Sequence, residues 1–376
     1  MFSYNFRAVS TALVIGAAAV GTAGLLSTTA QAAVRPAVGT PLNAAISAAK
    51  SKSCDQATAK LREAENQGNK TSEETSKIAQ GKAYIDNQCG AGGLQGKFNG
   101  EYNAGHYAAV IAMEDDLRKG NLLSPLNQTL IAQAYWKSGN NAGCVRYLRQ
   151  NLSAGGEQVL SLMRYCAHDA GDKATESQVT EQLVSRFGKP EYWRAMLAQA
   201  QRTGGLKDAQ TLDIYRLKFL TGSMATQDEY LTLAQLAMVA GLPKEAQAVI
   251  KKGLDSKAIA PGDRINRFNT LTSNAVTQDE AALAKSMAAA NAAPAGDALV
   301  KMGEYQVSAG NAAEGIKTIQ AGVAKHPVDP NFALVRLGQA YLAAKQKDEA
   351  IRTFASVKGD ANWQLIARLW GFYARR

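Results

Sequence analysis

Apolar residues recur along this chain at intervals of three and four, the pattern of helices that bury one face. The clearest stretch is Trp363, Leu365, Ile366, Leu369, Trp370 and Tyr373, which predicts a helix from Ala361 to Ala374. Upstream, the same spacing comes in pairs of segments. Leu334-x-x-Leu337-Gly338-x-x-Tyr341 is followed by Ala350-x-x-x-Phe354, and Leu299-x-x-Met302-Gly303 by Gly310 and Gly315-x-x-x-Ile319. Tyr230-x-x-Leu233-Ala234 is followed by Gly241 and Ala246-x-x-x-Ile250, and Ile131-Ala132-x-x-Tyr135 by Gly139 and Cys144-x-x-x-Leu148. The small residue after the large apolar one stands at 132, 234, 303 and 338, with gaps of 102, 69 and 35. These are close to multiples of a period of about 34. Further units are therefore expected near 166, 200 and 269, and one step back lands on Phe98, with Gly105 at the turn.

Packing explains the pattern. Two antiparallel helices approach closely only where small side chains face each other, while large residues fill the groove between them. Gly105, Gly139, Gly241 and Gly310 stand where the connecting turn needs a left-handed residue. The expected map is all-α: a helical segment over 33–91 with a helix pair in 42–88, repeats over 92–357, and a capping helix over 358–376. The repeat fits loosely across 155–225, and Asp255 to Gly262 reads as a longer loop.

The Leu-Gly-x-x-Tyr and Ala-x-x-x-Phe elements resemble the tetratricopeptide repeat (TPR), which implies a right-handed α-solenoid of helical hairpins. Pro190-Glu191-Tyr192-Trp193, Tyr215-Arg216-Leu217, Tyr230 through Gly241-Leu242-Pro243-x-Glu245-Ala246, and Ala367-Arg368-Leu369-Trp370 are similar to a group of exported proteobacterial TPR proteins. That resemblance implies a periplasmic interaction scaffold and supplies no catalytic residues.

Composition agrees with helix: 46% of residues are hydrophobic and only 9 are proline, while Ala is abundant. Residues 1–32 read as a secretory signal peptide, with Arg7, an apolar stretch from Ala12 to Leu26, and Ala30-Gln31-Ala32 as the cleavage site. A periplasmic or secreted protein is expected, with no later membrane span. Cys54, Cys89, Cys144 and Cys166 then suit disulfides. In the repeat register Cys54 begins one helix and Cys89 ends the next. Cys144 opens a second helix and Cys166 falls late in the following first helix. Antiparallel packing pairs Cys54 with Cys89 and Cys144 with Cys166.

The net charge is +10, but Lys and Arg are interleaved with Asp and Glu, which reads as a solvated surface and not a nucleic-acid site. His106, His168 and His326 are dispersed and no metal-binding spacing occurs. His168-Asp169 is the one adjacent acid–base pair and reads as a helix end. The glycines of Gly90 to Gly96 follow a helix, not a strand, so they read as an inter-helix loop. Ser72 with Glu73 and Glu74 reads as a helix cap. No enzyme, cofactor or metal is expected.

The expected function is a scaffold that binds a protein or peptide on its concave face. An accessory subunit of a cell-envelope enzyme or transport machine is the alternative. In the resemblance, first helices line the concave side. Counting from the small residues, the inward positions are Gln133 and Trp136; Leu231, Gln235 and Met238; Val300, Glu304 and Val307; Val335, Gln339 and Leu342. These places hold neither Lys nor Asn, so no clamp for a C-terminal carboxylate is expected. A segment with apolar anchors fits better, unless several of these residues are core between repeats.

Overall fold

The computed structural model describes residues 34–89, 91–202 and 204–376; the expected signal peptide lies outside them. The described residues are helical with short connections. In chain order the helices are α1 (Pro36–Lys50), α2 (Cys54–Glu65), α3 (Ser72–Cys89), α4 (Ala91–Asn103), α5 (Tyr107–Ala112), α6 (Glu114–Lys119), α7 (Pro125–Lys137), α8 (Asn141–Asn151), α9 (Glu157–Asp169) and α10 (Lys173–Phe187). They continue as α11 (Pro190–Gln201), α12 (Asp208–Leu220), α13 (Gln227–Val239), α14 (Pro243–Asp255), α15 (Asp263–Ala292), α16 (Asp297–Ser308), α17 (Ala312–Ala324), α18 (Pro330–Ala343), α19 (Lys347–Ala355) and α20 (Ala361–Ala374). The chain forms two compact units, one up to Gly100 and one from Glu101.

In the first unit α1, α2 and α3 pack against one another, so the helix pair expected in 42–88 is a three-helix bundle. Its core is Val38, Leu42, Ala45, Leu61, Ile78 and Ile85, with Ala57 and Ala64 at the close approaches. Cys54 and Cys89 are joined, with Cα atoms 5.3 Å apart, tying the start of α2 to the end of α3. The α3 cap is Thr71, one residue before the Ser72 suggested by the sequence. Thr71 Oγ1 accepts from Glu74 N, and Glu74 Oε2 accepts from Thr71 N, a reciprocal capping box. Arg35 donates to both oxygens of this buried carboxylate, which holds its pKa down at about 2. The Gly90 to Gly96 stretch is largely helix, since α4 begins at Ala91.

The second unit is an all-α solenoid of TPR-like hairpins. Consecutive helices pack in the pairs α7–α8, α9–α10, α13–α14, α16–α17 and α18–α19, and first helices of successive hairpins touch in α7–α9 and α16–α18. Helix starts are set locally. Pro125, Pro190, Pro243 and Pro330 occupy the first turn of their helices, and Ser124, Asn140, Asp172, Thr226, Asp329 and Asp360 cap theirs by accepting a backbone N–H. Turn glycines Gly139, Gly241 and Gly310 adopt φ of 81°, 76° and 92°. The α18–α19 turn puts Lys345 in the same left-handed region, at φ 61°.

The small residues do what the period asks of them. A Cβ on Gly303 would lie 2.7 Å from the backbone oxygen of Gly315, and one on Gly315 would lie 2.7 Å from that of Gly303, so α16 and α17 meet backbone to backbone. A Cβ on Gly338 would lie 2.4 Å from the Phe354 ring. The units expected near 166 and 200 are present as α9–α10 and α11–α12, with the small-residue places filled by buried Cys166 and Ala200. Cys166 pairs with Cys144 of α8 across the hairpin boundary, Cα to Cα 6.0 Å.

The unit expected near 269 is different. Residues 263–292 form one uninterrupted helix, α15, with no turn glycine inside it and few buried residues (Ile265, Thr272, Ala290). Without a left-handed residue near its middle, the chain has no means to reverse there.

The closing helix also does more than cover the last hairpin. α20 packs on α18 and α19 and also on α12. Trp193 of α11 meets Tyr373 edge to face, Arg368 pairs with Glu181 of α10 at 2.7 Å, and Asn362 Nδ2 donates to Gly205 O at 3.0 Å. The C-terminal half of the solenoid therefore closes on itself, from α10 round to α20. Among the described residues no helix is long and apolar enough to cross a membrane.

Candidate functional site: an aromatic face and a charged interior

The first-helix face has two characters along the second unit. Between residues 101 and 170 it carries partly exposed aromatic side chains: Tyr102 in the last turn of α4, Trp136 on α7 and Tyr165 on α9. Trp136 and Tyr165 stack with ring centroids 6.0 Å apart. Trp136 Nε1 donates to Asp169 Oδ2 at 2.7 Å, and the Tyr102 hydroxyl bonds the Gln133 side chain. Lys137 Nζ lies 5.0 Å from the Tyr102 ring centre and 5.4 Å from that of Tyr107, and Arg164 lies 4.5 Å from that of Tyr165. Rings fixed by such contacts present apolar area with little rotamer freedom left to lose. Asp169 is thus engaged by the indole, and its neighbour His168 has Nδ1 3.1 Å from Glu176 Oε1.

In the closed half the same face turns inward onto α12, a helix buried on nearly every side: Leu212, Asp213, Ile214, Arg216, Leu217 and Lys218 are all buried. Arg216 holds Glu245 of α14 through Nε and Nη2, at 2.7 and 2.6 Å, and Glu304 of α16 through Nη1 at 2.9 Å. Arg336 of α18 donates through Nη1 to both oxygens of Asp213, at 2.8 and 2.9 Å. Its Nε stands 2.6 Å from Glu304 Oε1, an ion pair without a hydrogen bond's angle. Gln339 accepts from Arg336 and donates to Asp213 at 2.5 Å. Burial by itself would lower the Arg216 pKa, but Glu245, Glu304 and Asp213 hold it well above its ordinary value. Glu304 and Arg336 line two cavities, one of about 280 Å³ that also touches Phe219, Val307 and Trp370, the other of about 210 Å³ beside Leu212 and Phe332.

The residues expected to face a partner are divided by this arrangement. Gln133 and Trp136 lie on the aromatic face. On α13, Gln235 is exposed and Met238 partly exposed. Glu304 and Gln339 belong to the charged cluster, and Val307 lines its larger cavity. Leu342 lines a separate hollow with Leu220 and Tyr373. Leu231, Val300 and Val335 are core, at 4%, 0% and 0% exposure, so the structure removes them as contact residues. The residues not anticipated are Asp213, Arg216 and Arg336 and, on the other face, Tyr102 and Tyr165. A charged residue between two apolar anchors, as in Val335-Arg336-Leu337, is the one sequence signal that points to the interior.

No known protein-family profile matches the chain, and no curated protein matches it. Solved structures similar to it include a tetratricopeptide repeat protein from Parabacteroides merdae, with 12% identity and a TM-score of 0.31 over 74% of this chain and 98% of that one. Another is the P58(IPK) TPR domain, with 10% identity and a TM-score of 0.26 over 89% and 79%. The fold description above rests on the helix packing itself.

Proposed function

We propose that the protein is an exported scaffold of the cell envelope that binds a protein or peptide segment along the first-helix face of its N-terminal repeats. The observation that supports this reading is the run of partly exposed, mutually braced aromatics, Tyr102, Trp136 and Tyr165. Rigid aromatic side chains of this kind anchor partners, because they bury large apolar area while their polar ends stay hydrogen bonded. The two joined cysteine pairs suit an oxidising compartment. No chemistry is assigned to the chain: the adjacent His168 and Asp169 are each held by a different neighbour.

The test is capture of partners from the native envelope with purified protein as bait, followed by a binding measurement on the partner identified. A Trp136→Ala, Tyr165→Ala double variant that keeps its helical content should bind at least about tenfold more weakly, the scale of an anchor residue. Unchanged affinity in that folded variant would refute the reading.

A further inference from the structure

The two disulfides stand in opposite surroundings. Cys144 and Cys166 are both 0% exposed, where α8 packs on α9. Cys54 and Cys89 are both partly exposed, and Cys89 only borders the core of the α1–α3 bundle. Exchange begins when a thiolate reaches a sulfur atom, so full burial shuts the first pair off and partial exposure leaves the second open.

The chain around the open pair also favours a departing thiolate. Cys54 is the first residue of α2, and no side chain caps that end, so the positive end of the helix dipole acts on its sulfur without a competing side-chain acceptor. Lys52 Nζ donates to Gln88 O at 3.3 Å and to Gln88 Oε1 at 2.8 Å, which holds an ammonium beside the residue that precedes Cys89. Asp55, the acidic residue of that first turn, is exposed to water. Cys166, by contrast, lies in the last turn of α9, where the dipole has the opposite sign. A thiol of lower pKa leaves a disulfide faster.

We propose that Cys54–Cys89 is a site of thiol–disulfide exchange with a dithiol, while Cys144–Cys166 is structural. One thiolate of the dithiol attacks Cys89 Sγ. The Cys54–Cys89 bond breaks and its electron pair leaves on Cys54 Sγ, where the start of α2 stabilises it. The second thiolate of the dithiol then attacks the dithiol's own sulfur in the mixed disulfide and releases Cys89. The dithiol ends oxidised to a disulfide, the cysteine pair ends reduced, and the two protons given up by the dithiol pass through solvent. Bundles as small as α1–α3 usually need a staple, and four of the nine buried residues in this core are alanine. Reduction therefore loosens α2 and α3, while the second unit keeps its own bridge.

Timed reduction of the folded full chain by dithiothreitol, quenched with N-ethylmaleimide and read by peptide mass, tests the assignment. Cys54 and Cys89 should be labelled at least about a hundredfold faster than Cys144 and Cys166. In urea that unfolds the chain the two rates should converge to within about fivefold, because the contrast comes from the fold. Lys52, at φ 60°, can be replaced by Asn, which tolerates that backbone and removes the ammonium. Lys52→Asn should slow labelling of Cys54 and Cys89 by about two- to fivefold and leave the other pair unchanged. Hydrogen exchange under the same mild reduction should rise across 54–89 and stay constant across 125–187. Equal rates in the folded chain, earlier opening of Cys144–Cys166, or a hundredfold contrast that persists in urea overturns the proposal. An unchanged rate in Lys52→Asn overturns the role given to the ammonium, and unchanged hydrogen exchange in α2 and α3 overturns the loosening. No binding partner enters the measurement, so its outcome is independent of the scaffold reading.

Discussion

The aromatic face of α7 and α9 and the inner face of α16 and α18 belong to corresponding first helices of different repeats, yet one stays partly open to solvent and the other is buried against α12. α7 packs on α5, α8 and α9, and α9 on α7, α8 and α10, all close by in the chain, and Trp136 and Tyr165 remain partly exposed. Around α12, Arg216 reaches Glu304 and Arg336 reaches Asp213, 123 residues away in the chain, and α20 returns to pack on α12. The difference teaches that the period of a solenoid sets its hairpins but not its curvature. Curvature is decided where distant repeats find partners, and here those partners are charges that need one another once water is gone.

The largest effect should come from breaking that closure. Arg336→Ala leaves Asp213 buried without its bidentate partner, and urea unfolding should show a loss of about 3–5 kcal/mol, the scale for removing one member of a buried pair. If the loss were under 1 kcal/mol, the contrast between the two halves would be only geometric. The open half adds a covalent tie to its apolar core. Replacing Cys144 and Cys166 together by Ala should cost roughly 3 kcal/mol on the loop-entropy scale, measured under non-reducing conditions.

Gly315→Ala sharpens the comparison at the backbone contact of α16 and α17. The new Cβ meets the Gly303 carbonyl oxygen and Val307 Cγ2, and thermal unfolding should show a loss of about 1–3 kcal/mol. The same change at Gly100, where a Cβ meets nothing within 4 Å, should be neutral or slightly stabilising. The smallest effect is a gain. Lys345→Gly relieves a left-handed residue in the α18–α19 turn and should raise stability by up to about 1 kcal/mol; a loss would mean that the Lys345 side chain contributes more than its backbone costs.

Much of this fold was legible in the chain. The spacing of Leu337-Gly338, Met302-Gly303 and Leu233-Ala234 placed hairpins whose small residues do meet closely, and it located α9–α10 and α11–α12 without any visible motif. The same register brought Cys54 to Cys89 and Cys144 to Cys166. It failed at 269, where the period continues in number but the stretch holds no glycine, and a single 30-residue helix results. For Leu231, Val300 and Val335 it left partner contact and core between repeats both open, and burial selects the core. A position that faces inward on a repeat is a surface position only if the solenoid stays open.

By itself the sequence determined the local elements: which segments are helices, where they cap and reverse, and which faces are too small or too apolar to be left apart. Those outcomes depend on interactions within about one period, and the residues responsible lie near one another in the chain. Only the tertiary structure decided that Asp213, Arg216, Glu245, Glu304 and Arg336 share one interior while Trp136 and Tyr165 do not. The reason is that charges spread over more than a hundred residues carry no periodic signature; their pairing is fixed by how far each hairpin rotates on the last, a quantity summed over every repeat between them.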